Sequence, residues 1–361
     1  MPRSRAWPRG VHKDTISVAV LEPGADTPTG DKIWHDEPSV RRLLEGLADR
    51  ARLWVCYEAG PTGYELQRLA ASMGVRCEVI APSLIPTAPG DRVKTDKRDC
   101  RRLARLYRAG QLTAIRVPSP AEEAVRDLCR ARADLVDDRD RACKRLGGFC
   151  CATGGCTAGA ATGPASTSSG WPQRFDERAI SATLGHYRAV LAARDASVAA
   201  VDADLAPWFD REPFADGVHR LGAYRGIAHL GALTLASEVC DWRRFPRAGA
   251  FMGCTGLVPW EYSSGGSVRR GHLTKAGNAH LRTQLVESAW GYQHRPAVGV
   301  ALRHRQDGLD PQVVARAWEA QLRLCGRFRR LAQHKNVKSV VVAAIARELA
   351  GFVWAETTVS P

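Results

Sequence analysis

The sequence contains no apolar run long enough to cross a bilayer, which excludes a protein built from transmembrane helices. Its most apolar segment, 340–354, is interrupted by Arg347 and Glu348 and is predicted to be a buried amphipathic helix. The first thirteen residues include charges and prolines but no apolar core of a signal peptide. We therefore expect a cytoplasmic protein without a membrane partner.

Metal-binding cysteine patterns are also missing from the sequence. None of the 11 cysteines belongs to a C-x-x-C pair or to a Cys/His cluster with zinc spacing, which argues against a zinc-finger protein. An odd number of cysteines without a secretory signal predicts reduced thiols, as is usual in a cytoplasm.

The sequence has fewer acidic than basic residues. Lys and Arg number 52 against 38 Asp and Glu, giving a net charge of +14. In residues 265–361 the basic residues exceed the acidic ones by nine. So large a net positive charge favours a polyanionic partner, most simply nucleic acid. The alternative is a basic surface that is only solvated.

The front of the chain has the pattern of an α/β layer. Strands are predicted over 15–21, 53–58 and 76–81, because these segments are apolar and rich in β-branched residues. Helices are predicted over 64–73 and 96–108. Strand, helix and strand in alternation predict an α/β domain, which we place at 1–120.

The remainder of the chain is predicted to be all-α. Segments 122–146 and 183–205 have the periodicity of long helices, which together would form a coiled-coil arm in a middle domain, 121–206. Between them, 147–170 contains no charged residue and little that could form a core, so we predict a disordered loop. A mostly helical domain is predicted over 207–361.

Three acidic residues in the first domain are candidate metal ligands. Glu58 ends a predicted buried strand, and Asp96 and Asp99 are three residues apart at a predicted helix start, where they share one face. Carboxylates in such positions can hold Mg²⁺. The alternative is that the aspartates only cap the helix.

A serine-rich loop in the last domain is the second candidate site. Ser263, Ser264 and Ser267 surround Gly265 and Gly266. The basic residues that follow are Arg269, Arg270, Lys275 and Arg282. One serine could attack a phosphate with the cations stabilising its charge, or the loop could bind phosphate without chemistry. The nearest imidazoles, His272 and His280, form no local His-Asp motif.

The third candidate is the turn Arg225-Gly226-Ile227 between two short predicted helices. A glycine turn of this kind can present backbone N–H groups to a DNA phosphate, as in helix-hairpin-helix modules. A simple packing turn is an equal alternative.

Taken together, these motifs resemble those of the IS110-family transposases, also called DEDD or Piv/MooV-like recombinases. The resemblance runs from about residue 11 to residue 354. It is carried by VHKDTISVAV, YEAGPTGYEL, VKTDKRDCRRLARLYRAGQL, VPSPAEEAVRDL, RGIAHLGALTLASEVCDWRRF and GLVPWEYSSGGSVRRGHLTKAGNAHLRTQLVESAW.

The resemblance implies an N-terminal RuvC-like domain of the ribonuclease H fold, a coiled-coil middle and a C-terminal domain with a serine nucleophile. Glu58, Asp96 and Asp99 match three of the family's four Mg²⁺-binding acids, and Ser264 matches its serine. The implied reaction is cutting and rejoining of DNA through a covalent serine link. The implied partners are DNA, a structured guide RNA as in several members, and further copies of the chain in a dimer or tetramer.

The sequence departs from the family pattern at its first acid. That position is Gly10, in a segment where Pro8 is unsuited to a central strand. The missing acid and the uncharged stretch 147–170 favour an alternative in which the chain is an inactive nucleic-acid-binding remnant of a transposase. A RuvC-like junction nuclease that needs no serine is a third hypothesis.

Overall fold

The structure is a computed structural model that describes residues 13–47, 53–82, 85–86, 95–154, 175–262, 267–335 and 337–358. It divides into two compact units, 1–117 and 118–361. The mixed α/β character predicted from the sequence is confirmed. The finer division into three domains stays a prediction.

The first unit combines short strands with helices. Its elements are β1 (Thr15–Val20), β2 (Thr29–Trp34), α1 (Glu37–Gly46), β3 (Trp54–Glu58), α2 (Glu65–Ser72), β4 (Arg76–Ile80), α3 (Asp96–Arg108) and β5 (Ala114–Ile115). Strands β1 and β2 pair antiparallel, whereas β3 pairs parallel with β4, which in turn pairs antiparallel with β5. The parallel β3–β4 pair is joined by α2, as a crossover connection requires.

The second unit is almost entirely helical. Its elements are α4 (Pro120–Ala152), α5 (Arg178–Leu205), α6 (Ala215–Gly222), α7 (His229–Val239), α8 (Ala248–Thr255), β6 (Pro259–Glu261), β7 (Arg270–Leu273), α9 (Ala279–Trp290), α10 (Val300–Gln306), α11 (Pro311–His334) and α12 (Lys338–Thr358). Helix α12 is buried along much of its length, as its apolar sequence predicts. Among the described residues, no helix combines the length and the apolarity needed to cross a bilayer.

Helices α4 and α5 form the predicted arm. Ion pairs join Arg132 to Asp202 and Arg139 to Asp195, so the two helices run antiparallel. Helix α4 starts at a capping box, in which the Ser119 hydroxyl accepts from the Glu122 N–H and the Glu122 carboxylate accepts from the Ser119 N–H.

The predicted loop 147–170 begins later than expected, because α4 continues to Ala152. Leu146 and Cys150 are buried against Leu184 at this end of the arm. This packing outweighs the unfavourable helix propensity of the two glycines between them. Residues 155–174 lie outside the described part of the chain.

Nine described cysteines carry free thiols, as predicted. Cys151, in contrast, is disulfide-bonded, so the prediction of reduced thiols is wrong at this position.

A buried carboxylate ties α12 to α6 and α11. Glu356 has no solvent-exposed surface and accepts hydrogen bonds from Arg316 (2.8 Å), Tyr224 (2.9 Å) and Arg220 (3.1 Å). Burial alone would raise the pKa of Glu356, but the three donors outweigh it and the pKa lies below its ordinary value. The buried charge is therefore paired and hydrogen-bonded, as a stable fold requires.

Stability is expected to decrease in acid because of this carboxylate. A carboxyl group with a lowered folded-state pKa stabilises the fold above its ordinary pKa of 4.5. That contribution is lost as the pH falls from there through the folded-state pKa. Urea unfolding between neutral pH and about pH 3 should show this decline, with a shallower pH dependence for Glu356→Gln. An equally steep decline in the variant would contradict the assignment.

Candidate active site

The carboxylate of Glu58 lies at the C-terminal end of β3. Cys56 and Glu58 share one face of this strand, since side chains two residues apart point the same way. Cys56 is buried in the cluster that also holds Cys100 and Leu103 of α3. Glu58 is half-buried, with its Oε2 atom out of contact with solvent. It is thus placed on the face of the sheet that α3 covers.

Asp96 and Asp99 occupy the first turn of α3. The N-cap is Thr95, whose hydroxyl accepts from the Arg98 N–H at 3.4 Å, so the capping role weighed for the aspartates belongs to a threonine. Asp96 is exposed and Asp99 half-buried. Their helical spacing puts both near the end of the face that carries Cys100.

The donor chemistry of these three residues fits Mg²⁺, which prefers carboxylate oxygens. Glu58 belongs to β3, and Asp96 and Asp99 belong to α3. These two elements pack together through Cys56 and Cys100, which share one hydrophobic cluster. Within the described ranges, however, no three His, Cys, Asp or Glu side chains are grouped closely enough to hold a metal ion. Gly10, at the position of the missing first acid, lies outside those ranges.

The predicted serine loop connects the two strands of a hairpin, 259–273, here called the serine hairpin. Strands β6 and β7 pair antiparallel, and a further bond from the Tyr262 N–H to the Arg269 carbonyl (2.9 Å) extends the pairing towards the loop. Ser263 and Ser264 lie outside the described residues. Ahead of the serine loop, residues 251–255 belong to α8 and residues 259–261 to β6.

The predicted phosphate-binding cations lie on and just after this hairpin. Arg269 and Lys275 are exposed, and Arg270 belongs to β7. Arg282 is half-buried and donates to the carbonyls of Thr255 (3.1 Å) and Lys275 (3.2 Å). Arg282 therefore stabilises the base of the hairpin, a role that its charge alone did not indicate.

The chain after β7 packs closely on the end of α8. Lys275 has a φ of 51°, which is strained for a residue with a side chain. Gly277 has a φ of 92°, and a Cβ there would lie 2.1 Å from the Cys254 carbonyl oxygen. Only glycine suits such a conformation and approach. The exposed Lys275 side chain is thus presented by a tightly packed backbone.

An ion pair between a buried carboxylate and a partly exposed arginine, which no local sequence pattern predicts, supports this region. Glu238 of α7 accepts two hydrogen bonds from Arg130 of α4 (2.6 and 2.9 Å) and one from the Asn278 side-chain amide (2.6 Å). Asn278 also caps α9 by accepting from the Leu281 N–H. The three partners are too far apart in sequence for local spacing to connect them.

The electrostatics of this pair match its burial. Desolvation would raise the pKa of Glu238, but hydrogen bonds from Arg130 and Asn278, with the nearby charge of His280, lower it below its ordinary value. Neither His272 nor His280 forms an ion pair with a carboxylate within the described chain. The His–Asp pairs of the described chain are His219–Asp210 (2.8 Å) and His304–Asp307 (3.5 Å), and neither lies on the serine hairpin.

The turn at Gly226 packs against α9. Its φ is 82°, and a Cβ would lie 2.2 Å from the Ser288 carbonyl oxygen. Arg225 donates to the Arg295 carbonyl at 2.8 Å. Both predicted DNA-binding residues thus have packing roles, which favours the packing turn of the two alternatives.

Replacing Gly226 by alanine is expected to lower the free energy of unfolding by about 2–3 kcal/mol, because the methyl group meets backbone and the φ is left-handed. Urea unfolding measures this. Gly217→Ala in α6 is the matched control, since its Cβ would meet no atom within 4 Å and alanine favours a helix. Equal stability of the two variants would contradict the packing role.

Two family models match the chain. One, described as a transposase of the DEDD IS110 type, matches residues 11–149, and the other, the transposase IS116/IS110/IS902 family, matches residues 218–299. Together they cover the three acids and the serine hairpin.

Curated relatives agree with this result. A putative transposase of Sinorhizobium fredii is 38% identical over 95% of this chain and 85% of its own length. The transposase of insertion sequence element IS1533 of Leptospira borgpetersenii is 30% identical over 89% of this chain and 94% of its own length. With this extent of similarity, the chain belongs to the IS110 family of transposases.

Proposed function

We propose that this protein moves an insertion element by cutting and rejoining DNA strands, with Ser264 as the nucleophile. The proposal rests on one observation: this chain belongs to the IS110 family, and its serine hairpin carries exposed cations. Arg269 and Lys275 are exposed there, on a base ordered by Arg282. Ser264 precedes Arg269 by only five residues in the sequence, and these charges would attract a phosphate.

The chemistry is a transesterification. The Ser264 hydroxyl oxygen attacks a backbone phosphorus, forming a serine–phosphate ester while the bond to the departing sugar oxygen breaks. The proton lost by the serine is balanced by the proton gained by the departing hydroxyl. A hydroxyl of the second DNA strand then reverses the step and releases Ser264. Arg269, Arg270 and Lys275 neutralise charge on the phosphate.

Glu58, Asp96 and Asp99 are the residues we propose to hold Mg²⁺. When bound, the ion supplies positive charge that stabilises the attacking and leaving oxygens of a phosphodiester. Their association with one packed strand–helix pair supports the assignment. A RuvC-like fold of the first unit is part of the same proposal.

The proposed partners follow from the same reaction. DNA supplies the element ends and the target, and a structured guide RNA selects them. Two duplexes must be held at once, so we propose a dimer or tetramer of this chain, acting in the cytoplasm.

The test is to trap a covalent protein–DNA adduct. The full-length protein is incubated with Mg²⁺ and duplexes carrying the ends of its own element, then denatured and digested for peptide mass spectrometry. We expect a nucleotide on the peptide that contains Ser264. An adduct on a different residue would overturn the assignment of the nucleophile.

The alternative of an inactive nucleic-acid-binding remnant is favoured by Gly10, which removes one acid of the family pattern. A Gly10→Asp variant distinguishes the two. An adduct formed by the variant but not by the natural chain supports the remnant, whose DNA binding should still weaken steeply with salt. Strand cleavage that survives Ser264→Ala would favour a junction nuclease instead.

A further inference from the structure

Two large aromatic side chains are exposed on the serine hairpin. Trp260 is 48% and Tyr262 73% exposed to solvent. Trp260 belongs to β6, whose register with β7 is irregular, and Tyr262 directly follows it, where the backbone bond to Arg269 continues the pairing. Side chains two residues apart in such an extended segment point to the same face. Within the described chain, neither ring packs against another aromatic ring.

The Trp260 ring is held in place by a glycine on the opposite strand. A Cβ at Gly271 would lie 1.9 Å from Trp260 Cε2 and 2.1 Å from its Nε1. The indole thus lies directly on the β7 backbone, in a space that a side chain would fill. Because one side of the ring system is covered in this way while half of its surface stays exposed, the solvent-facing side is available to a flat partner.

Exposed cations lie near the two rings, whereas the exposed Glu261 between them occupies the alternate position of the strand and belongs to the opposite face. Arg269, which is exposed, faces Tyr262 across the hairpin through the backbone bond of 2.9 Å. Lys275 is exposed just beyond β7. Exposed aromatic rings among cations are how proteins bind single-stranded nucleic acid, since bases stack on the rings and cations contact the phosphates.

We propose that Trp260 and Tyr262 form a stacking platform for unpaired bases of the DNA strand that is cut. This inference rests on the proposed function, because it places the strand beside the serine loop that Tyr262 directly precedes. Unpaired bases are the partner that fits. In a duplex the base faces are already stacked on their neighbours, whereas strand exchange between two duplexes requires bases to separate.

The experiment compares oligonucleotides with and without bases. Fluorescence anisotropy measures binding of full-length Ser264→Ala protein to a labelled oligothymidylate of about 12 nucleotides and to an abasic oligonucleotide of equal length. The double variant Trp260→Ala/Tyr262→Ala is expected to bind the oligothymidylate at least about fivefold more weakly. Its binding to the abasic strand should not change, and phenylalanine at both positions should restore most of the affinity.

Two controls make the result specific. Trp318→Ala removes a tryptophan that is 38% exposed on α11 and should leave binding unchanged. Arg269→Gln should weaken binding to both oligonucleotides and reduce the salt dependence, because it removes a phosphate contact. If the double variant does not fold, the single variant Tyr262→Ala is measured in its place, because the Tyr262 ring is largely exposed.

Equal losses on the two oligonucleotides would overturn the proposal. An oligouridylate of the same length is measured in parallel, and a loss of binding seen only with it would also overturn the proposal. So would a change of oligomeric state in light scattering, which would mean that a second copy of the chain covers the rings. The binding assay needs no chemistry. Base-dependent binding by a protein that forms no adduct would therefore leave the platform standing while the proposed reaction fails.

Discussion

Alanine in place of Ser264 is expected to abolish the covalent protein–DNA adduct and to reduce strand cleavage at least about a thousandfold. Without the hydroxyl there is no attacking oxygen, and the remaining groups only bind and polarise the phosphate. The measurement is the rate of cleavage and of adduct formation on element-end DNA. DNA affinity should change little, because binding depends on the cations.

The neighbouring serines are the matched controls for this variant. Ser263→Ala and Ser267→Ala remove the same hydroxyl group from the same hairpin and should retain the adduct. If Ser263→Ala abolishes the adduct while Ser264→Ala does not, the nucleophile is Ser263 and the position assigned by family resemblance is wrong.

Alanine in place of Glu238 is expected to lower the free energy of unfolding by about 2–3 kcal/mol, since it removes a buried carboxylate that accepts hydrogen bonds from Arg130, whose side chain is 39% exposed and stays partly solvated. Asn278 also loses its acceptor at 2.6 Å. Because Asn278 caps α9 and its N–H binds the Cys254 carbonyl, we expect the base of the serine hairpin to shift. Adduct formation should then fall by about tenfold or more, even where the protein is folded.

Glu356→Ala is the matched control for that prediction. It removes another buried, arginine-paired carboxylate of the same unit, but one that ties α12 to α6 and α11. Urea unfolding should show a comparable or larger loss of stability, whereas adduct formation by the folded fraction should change little. A similar loss of activity in both variants would mean that Glu238 acts only through global stability.

Much of the first unit could be predicted from local patterns. The strand over 53–58 and the helix over 96–108 were expected within a residue of β3 and α3, because their apolar spacing is regular. Strand β2 was missed, since most of its residues are exposed and its sequence TGDKIW has no clear alternation. It exists because β1 offers a partner, a long-range cause that no local pattern contains.

The sequence by itself determined the family and the candidate chemistry, because the acids, the serine loop and the cations are each recognisable from a few adjacent residues. Only the tertiary structure decided what holds them. It assigned Arg282 to backbone carbonyls, the Gly226 turn to α9, and Glu238 to partners from α4 and the start of α9. Such contacts depend on burial and close approach between distant segments, and these physical conditions arise only once the helices have packed.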